Sequence, residues 1–105
     1  MTPNERFYIC NYIWHTLSTE ELLAQLAEEG AELTHAALKL RRAKDGTNPT
    51  PVSISKAVDA LMEEISDVML LVKLLHFDQY EEEIENIMDS KLQRWEKRLR
   101  EKKGE

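Results

Sequence analysis

Cysteine is nearly missing from this 105-residue chain. Cys10 stands alone, so no disulfide can form within the chain. Such usage fits a reducing compartment. Glycine and proline number only three each, and two of the prolines fall in one short stretch, Asn48-Pro49-Thr50-Pro51. With so few interruptions, the chain is expected to run in long helices. No apolar run reaches the length of a membrane span, and the N-terminal residues lack the apolar centre of a signal segment, so the expectation is a cytoplasmic protein. Bases are the minority charge, with 14 Lys and Arg against 20 Asp and Glu, a net charge of −6. That balance argues against a nucleic-acid polymer as partner. It does not exclude a phosphate-bearing small molecule if cations neutralise the acids.

An apolar content of 42% with 32% charged residues describes a folded domain, and the length suits a single one spanning residues 1–105. The pattern predicts four helices. Thr2-Pro3-Asn4-Glu5 combines an N-cap, a proline at the first helical position and a capping-box acid. Phe7, Cys10, Trp14 and Leu17 follow at helical spacing. Ser18-Thr19-Glu20-Glu21 opens a second helix that runs to about Arg42 on a stripe of Leu22, Leu26, Leu33, Ala37 and Leu40. A loop is expected from Ala43 to Val52. A third helix starts near Ser53 or Ser55 and reaches about His76, with Ile54, Val58, Leu61, Ile65, Val68, Val72 and Leu75 in its stripe. Phe77-Asp78-Gln79 reads as a connection with Asp78 as a helix cap. The fourth helix extends from about Gln79 to Lys102 on Tyr80, Ile84, Ile87, Met88, Trp95 and Leu99, before a tail expected to fray. The third helix is apolar over more than half its circumference, which suggests burial on two sides and an oligomer. The expected fold class is all-α, of four-helix-bundle type.

Acids interrupt two of these stripes. Glu29 lies inside the stripe of the second helix and Glu32 at its edge, while Glu64 and Asp67 flank that of the third. Residues at i and i+3 share a helix face. A carboxylate turned toward a core is costly unless it is paired or binds a metal. Two such pairs on neighbouring helices predict that Glu29, Glu32, Glu64 and Asp67 meet and hold a hard divalent cation, Mg²⁺ before Mn²⁺. An ion pair with Lys91 or Arg94 is the structural competitor. Lys91 projects from the apolar stripe of the fourth helix and Arg94 from its flank, a placement suited to phosphate contact. Glu32-x-x-His35 has the spacing of di-iron bundles, yet it occurs once, so His35 reads as a surface or supporting residue. Phe7, Tyr8, Tyr12 and Trp14 crowd the first helix. Core packing is the plainer expectation for them, and stacking on a nucleobase the alternative.

The segment Gln25-Leu26-Ala27-Glu28-Glu29-Gly30-Ala31-Glu32-Leu33, then Glu63-Glu64-Ile65-Ser66-Asp67-Val68, then Lys91-Leu92-Gln93-Arg94, resembles the signature of the MazG-like all-α nucleoside triphosphate pyrophosphohydrolases. That signature is Glu-x-x-Glu, a gap, Glu-x-x-Asp and a basic motif. The resemblance spans about Leu22 to Arg98. It implies hydrolysis of a nucleoside triphosphate, or a related nucleotide, to monophosphate and pyrophosphate. Glu29, Glu32, Glu64 and Asp67 would hold Mg²⁺, Lys91 and Arg94 would contact phosphates, and the protein would be a homodimer or homotetramer. Asp89 departs from the asparagine often found two residues before the basic-motif lysine. Two other classes compete. One is a non-catalytic helical interaction module with interhelical ion pairs. The other is a carboxylate-bridged redox bundle.

Overall fold

Local capping chemistry sets the helix boundaries of the computed structural model, which describes residues 1–49 and 51–104. Thr50, within the expected turn, and Glu105 lie outside the described residues. The elements are α1 (Pro3–Thr16), α2 (Thr19–Asp45), α3 (Ile54–Leu74), a 3₁₀ turn (Phe77–Tyr80) and α4 (Glu81–Lys102). The chain is all-helical among the described residues, as expected.

Both capping boxes form. The Glu5 N–H donates to the Thr2 hydroxyl at 3.1 Å, and the Thr2 N–H donates to Glu5 Oε2 at 3.0 Å. Ser18 and Glu21 repeat the exchange at 3.0 and 3.3 Å. These bonds occupy donors that a helix start otherwise leaves empty. α2 runs three residues past the expected Arg42, to Asp45, and ends where Gly46 takes a left-handed φ of 74°. A Cβ would strain that conformation, and glycine avoids the penalty. Beyond it, the backbone and hydroxyl of Thr47 donate to the Asp45 carboxylate and hold its pKa below the usual range. Ser53 caps α3 by accepting from the Lys56 N–H at 3.1 Å.

Asp78 does not cap the fourth helix. The segment Phe77–Tyr80 is already wound as a 3₁₀ turn, so no extended residue stands where a cap would form, and Tyr80 precedes α4 without a side-chain cap bond. Glu81, Glu82 and Glu83 instead bring negative charge to the first turn, where the helix dipole favours it. His76 makes the corner between α3 and this turn at a φ of 62°, the one non-glycine residue with positive φ among those described. Its ring meets Trp14 edge-on with centroids 4.2 Å apart.

The main packed unit is the antiparallel α2–α3 hairpin, with α1 laid against α3 and α4 carried outward by the 3₁₀ turn. Leu22, Leu71, Leu74 and Leu75 form the core cluster, and Cys10, Ile13, Trp14 and Leu26 pack on it. Ala36 and Ala57 are buried further along the hairpin. α3 turns toward α2 with the edge that bears Ala57, Glu64 and Leu71, rather than with the centre of its predicted stripe. Ile54, Met62, Ile65 and Met69 consequently stay open. On α1, Phe7, Tyr8 and Tyr12 are exposed, contrary to the core role expected of them. Only one face of this short helix touches α3, and Cys10, Ile13 and Trp14 fill it. α4 buries none of its residues. The radius of gyration is 18.0 Å, against about 13 Å for a compact chain near this length.

Leu22 is 2% exposed and joins α2 to the end of α3. Leu22→Ala is expected to cost about 2–5 kcal/mol of unfolding free energy in a urea titration. A loss below about 1 kcal/mol would mean that the hairpin does not depend on this contact.

Candidate metal centre

Glu29 enters the hairpin from α2 because it follows Leu26 by three residues and precedes Leu33 by four, on the face turned to α3. Glu64 and Asp67 meet it from α3. One carboxylate oxygen from each of the three lies within 4.8 Å of the others. Glu29 and Glu64 are half-buried and Asp67 is exposed. Gln25, one turn before Glu29, donates from Nε2 to Glu29 Oε1 at 3.0 Å and fixes that side chain. Glu64 Oε2 is shut off from solvent with no hydrogen-bond partner among the described residues. A solvent-shielded carboxylate oxygen without a donor is unusual, because its desolvation goes uncompensated.

The electrostatics follow from this crowding. Desolvation raises the pKa of Glu64 above its ordinary value, and contact with Glu29 and the charges of Glu29, Asp67 and Glu32 raise it further. Asp67 is raised first by desolvation, then by Glu29. The charges acting on the pair are therefore those of other acids. No ion pair joins Lys91 or Arg94 to the cluster among the described residues, so the competing ion-pair explanation is not realised within one protomer.

Of the four acids picked from the sequence, three converge. Glu32 is exposed and stands outside the converging set, although its charge is felt at Glu64. At 100° per residue it is turned 60° from Glu29, enough to place it at the rim of the hairpin. Lys91 and Arg94 are exposed on α4, where they line a shallow depression of about 250 Å³ with Trp95 and Arg98. His35 is exposed on α2, and the converging set contains no histidine. Sequence reading gave Gln25 no role in the site. Its i, i+4 spacing to Glu29 was the available signal. The Trp14–His76 contact had no signal, because it depends on the left-handed corner.

Three oxygens from three carboxylates form a hard donor set of the kind that can hold a divalent cation. The unsatisfied Glu64 oxygen fits such a cation, which would supply the positive charge that the protein does not. No family model matches the chain, and no curated protein or solved structure matches it either.

A raised carboxyl pKa means that the folded state favours the neutral form. Its contribution to stability is present below the ordinary carboxylate range and is lost as pH rises through the raised value. Without metal, Glu64→Gln is therefore expected to melt higher than the parent at neutral pH, with the gap narrowing as pH falls toward 4. A gap independent of pH in thermal melts would show that Glu64 is not under the strain described.

Proposed function

We propose that this chain is a Mg²⁺-dependent nucleotide pyrophosphohydrolase of the MazG-like all-α kind, working as a homodimer or homotetramer. It would split a nucleoside triphosphate or related nucleotide into the monophosphate and pyrophosphate. The observation that carries the reading is the shielded, unpartnered Glu64 oxygen facing Glu29 and Asp67 across the α2–α3 hairpin. The order of motifs supports it, with acids on two successive helices and a basic motif behind them.

Glu29, Glu64 and Asp67 would hold the cation, with Glu32 at the rim as a fourth donor. Bound Mg²⁺ supplies charge compensation and Lewis-acid polarisation of the phosphate oxygens. Glu29, oriented by Gln25, accepts a proton from the attacking water. Asp67 lies at the exposed edge, where phosphate would enter. Lys91 and Arg94 stabilise the charge on the phosphates, a role that needs α4 brought to the hairpin by assembly.

The second reading, a helical interaction module without catalysis, is favoured by one feature, the uncovered apolar stripe of α4. The two readings separate on the cation. Saturating Mg²⁺ is expected to raise the melting temperature of the parent, since a ligand at a hundredfold its dissociation constant stabilises by about 2.7 kcal/mol. The Glu64→Gln protein should show little of that rise. Pyrophosphate release from a panel of canonical and modified triphosphates should fall at least about 100-fold in both Glu29→Gln and Glu64→Gln. Equal rates in the three proteins, or no Mg²⁺-dependent activity on any triphosphate, would remove the hydrolase reading.

A further inference from the structure

α4 has an internal polarity that its role in one protomer does not use. Residues 81–90 carry five acids and no base, namely Glu81, Glu82, Glu83, Glu85 and Asp89. Residues 91–103 carry seven bases and two acids. The helix is thus a rod of about 33 Å, negative over its first half and positive over its second. Along it run Ile84, Met88, Leu92, Trp95 and Leu99, all exposed, with Trp95 at 63% and Leu92 at 60%. A 22-residue helix that buries none of its residues and displays such a stripe lacks its packing partner.

We propose that α4 is the interface between two copies of this chain, paired antiparallel about a two-fold axis near Lys91 and Leu92. A second copy is the occupant because the charge pattern is complementary to itself in one orientation only. Antiparallel pairing lays the acidic half of each helix along the basic half of the other, whereas parallel pairing would set like against like. With the axis at Lys91–Leu92, Ile84 faces Leu99 of the other copy and Met88 faces its Trp95, so large apolar groups meet along the seam. Lys91 falls beside the axis, where its long stem can cover apolar surface while the ammonium stays in water. The surface is self-complementary, as a two-fold interface requires.

The pairing also has a reach beyond α4. A groove of about 570 Å³ separates α3 from the first turns of α4, lined by Val68, Met69 and Val72 on one side and Ile84 and Met88 on the other. Val68 is the residue after Asp67. The second copy's basic half, lying along Ile84 and Met88, is thereby carried to the flank of the hairpin that holds the acids. The antiparallel pairing rests on the assembly proposed above and gives it a helix and a direction, while what supports it is charge and exposure rather than catalysis.

Light scattering of the full chain at micromolar concentration is expected to give the mass of two copies or a multiple of two. Trp95→Glu should lower that state by half or more while the helical circular-dichroism signal persists. A monomeric parent, or an unchanged mass in Trp95→Glu, would overturn the proposal. Direction is read by oxidative cross-linking after Cys10→Ser removes the native thiol. Chains with Ile84→Cys mixed with chains carrying Leu99→Cys should form a disulfide between the two kinds, and neither kind should cross-link to itself. Efficient cross-linking of Ile84→Cys to its own kind would show parallel pairing and defeat the arrangement.

Discussion

Like charges gathered where α2 meets α3 are the constraint on which the rest of the structure turns. The hairpin is the largest packed contact in the chain, and it is built around carboxylates as well as leucines. At the core end, Leu22, Leu71, Leu74 and Leu75 supply ordinary apolar attraction. Further along, Glu64 and Asp67 oppose it, both made harder to ionise by desolvation and by the Glu29 carboxylate that faces them. Such opposition is tolerated where a function needs a preformed site. On the proposed reading, the hairpin would serve as a frame that holds a cation site open before any cation arrives. A site with its ligands already in place avoids the ordering cost of assembling them.

The distribution of apolar surface has a second logic. A chain of 105 residues can bury a sound core, yet here burial is concentrated in one cluster at the junction of α1, α2 and the end of α3. The outer side of α3 and the whole length of α4 keep their large side chains in water. The second copy proposed above would cover the part of this surface that lies on α4. The strongest intramolecular packing lies at the corner from which α4 departs.

Much of this was readable in the sequence, for reasons that differ from element to element. The starts of α1 and α2 were legible because a capping box is a local, self-contained exchange of hydrogen bonds that no distant contact needs to supply. Glu29 was legible because an acid among Leu22, Leu26 and Leu33 breaks an otherwise regular stripe. Three features were not. The end of α2 moved to Asp45 because the stop is the left-handed Gly46, not the last apolar residue. The face of α3 that meets α2 could not be chosen on a helix apolar most of the way round, since periodicity then favours no direction strongly. The aromatics of α1 were assigned to a core by residue type, whereas exposure is decided by how much of a short helix one neighbour can cover. Glu32 illustrates the finer limit, because a 60° turn between neighbours on one face separates a converging carboxylate from an exposed one.

His76 ties these parts together. A residue with a side chain is held at a left-handed φ only where its surroundings outweigh the intrinsic steric penalty of about 1–2 kcal/mol. Here the surroundings include the ring of Trp14 on α1 and the backbone hydrogen bonds that His76 makes with Lys73 and Gln79. The corner from which α4 departs touches α1 through this edge-on ring contact, beside the backbone hydrogen bonds from His76 to Lys73 and from Gln79 to His76. The N-terminal helix thus meets, through Trp14, the corner from which the C-terminal helix departs.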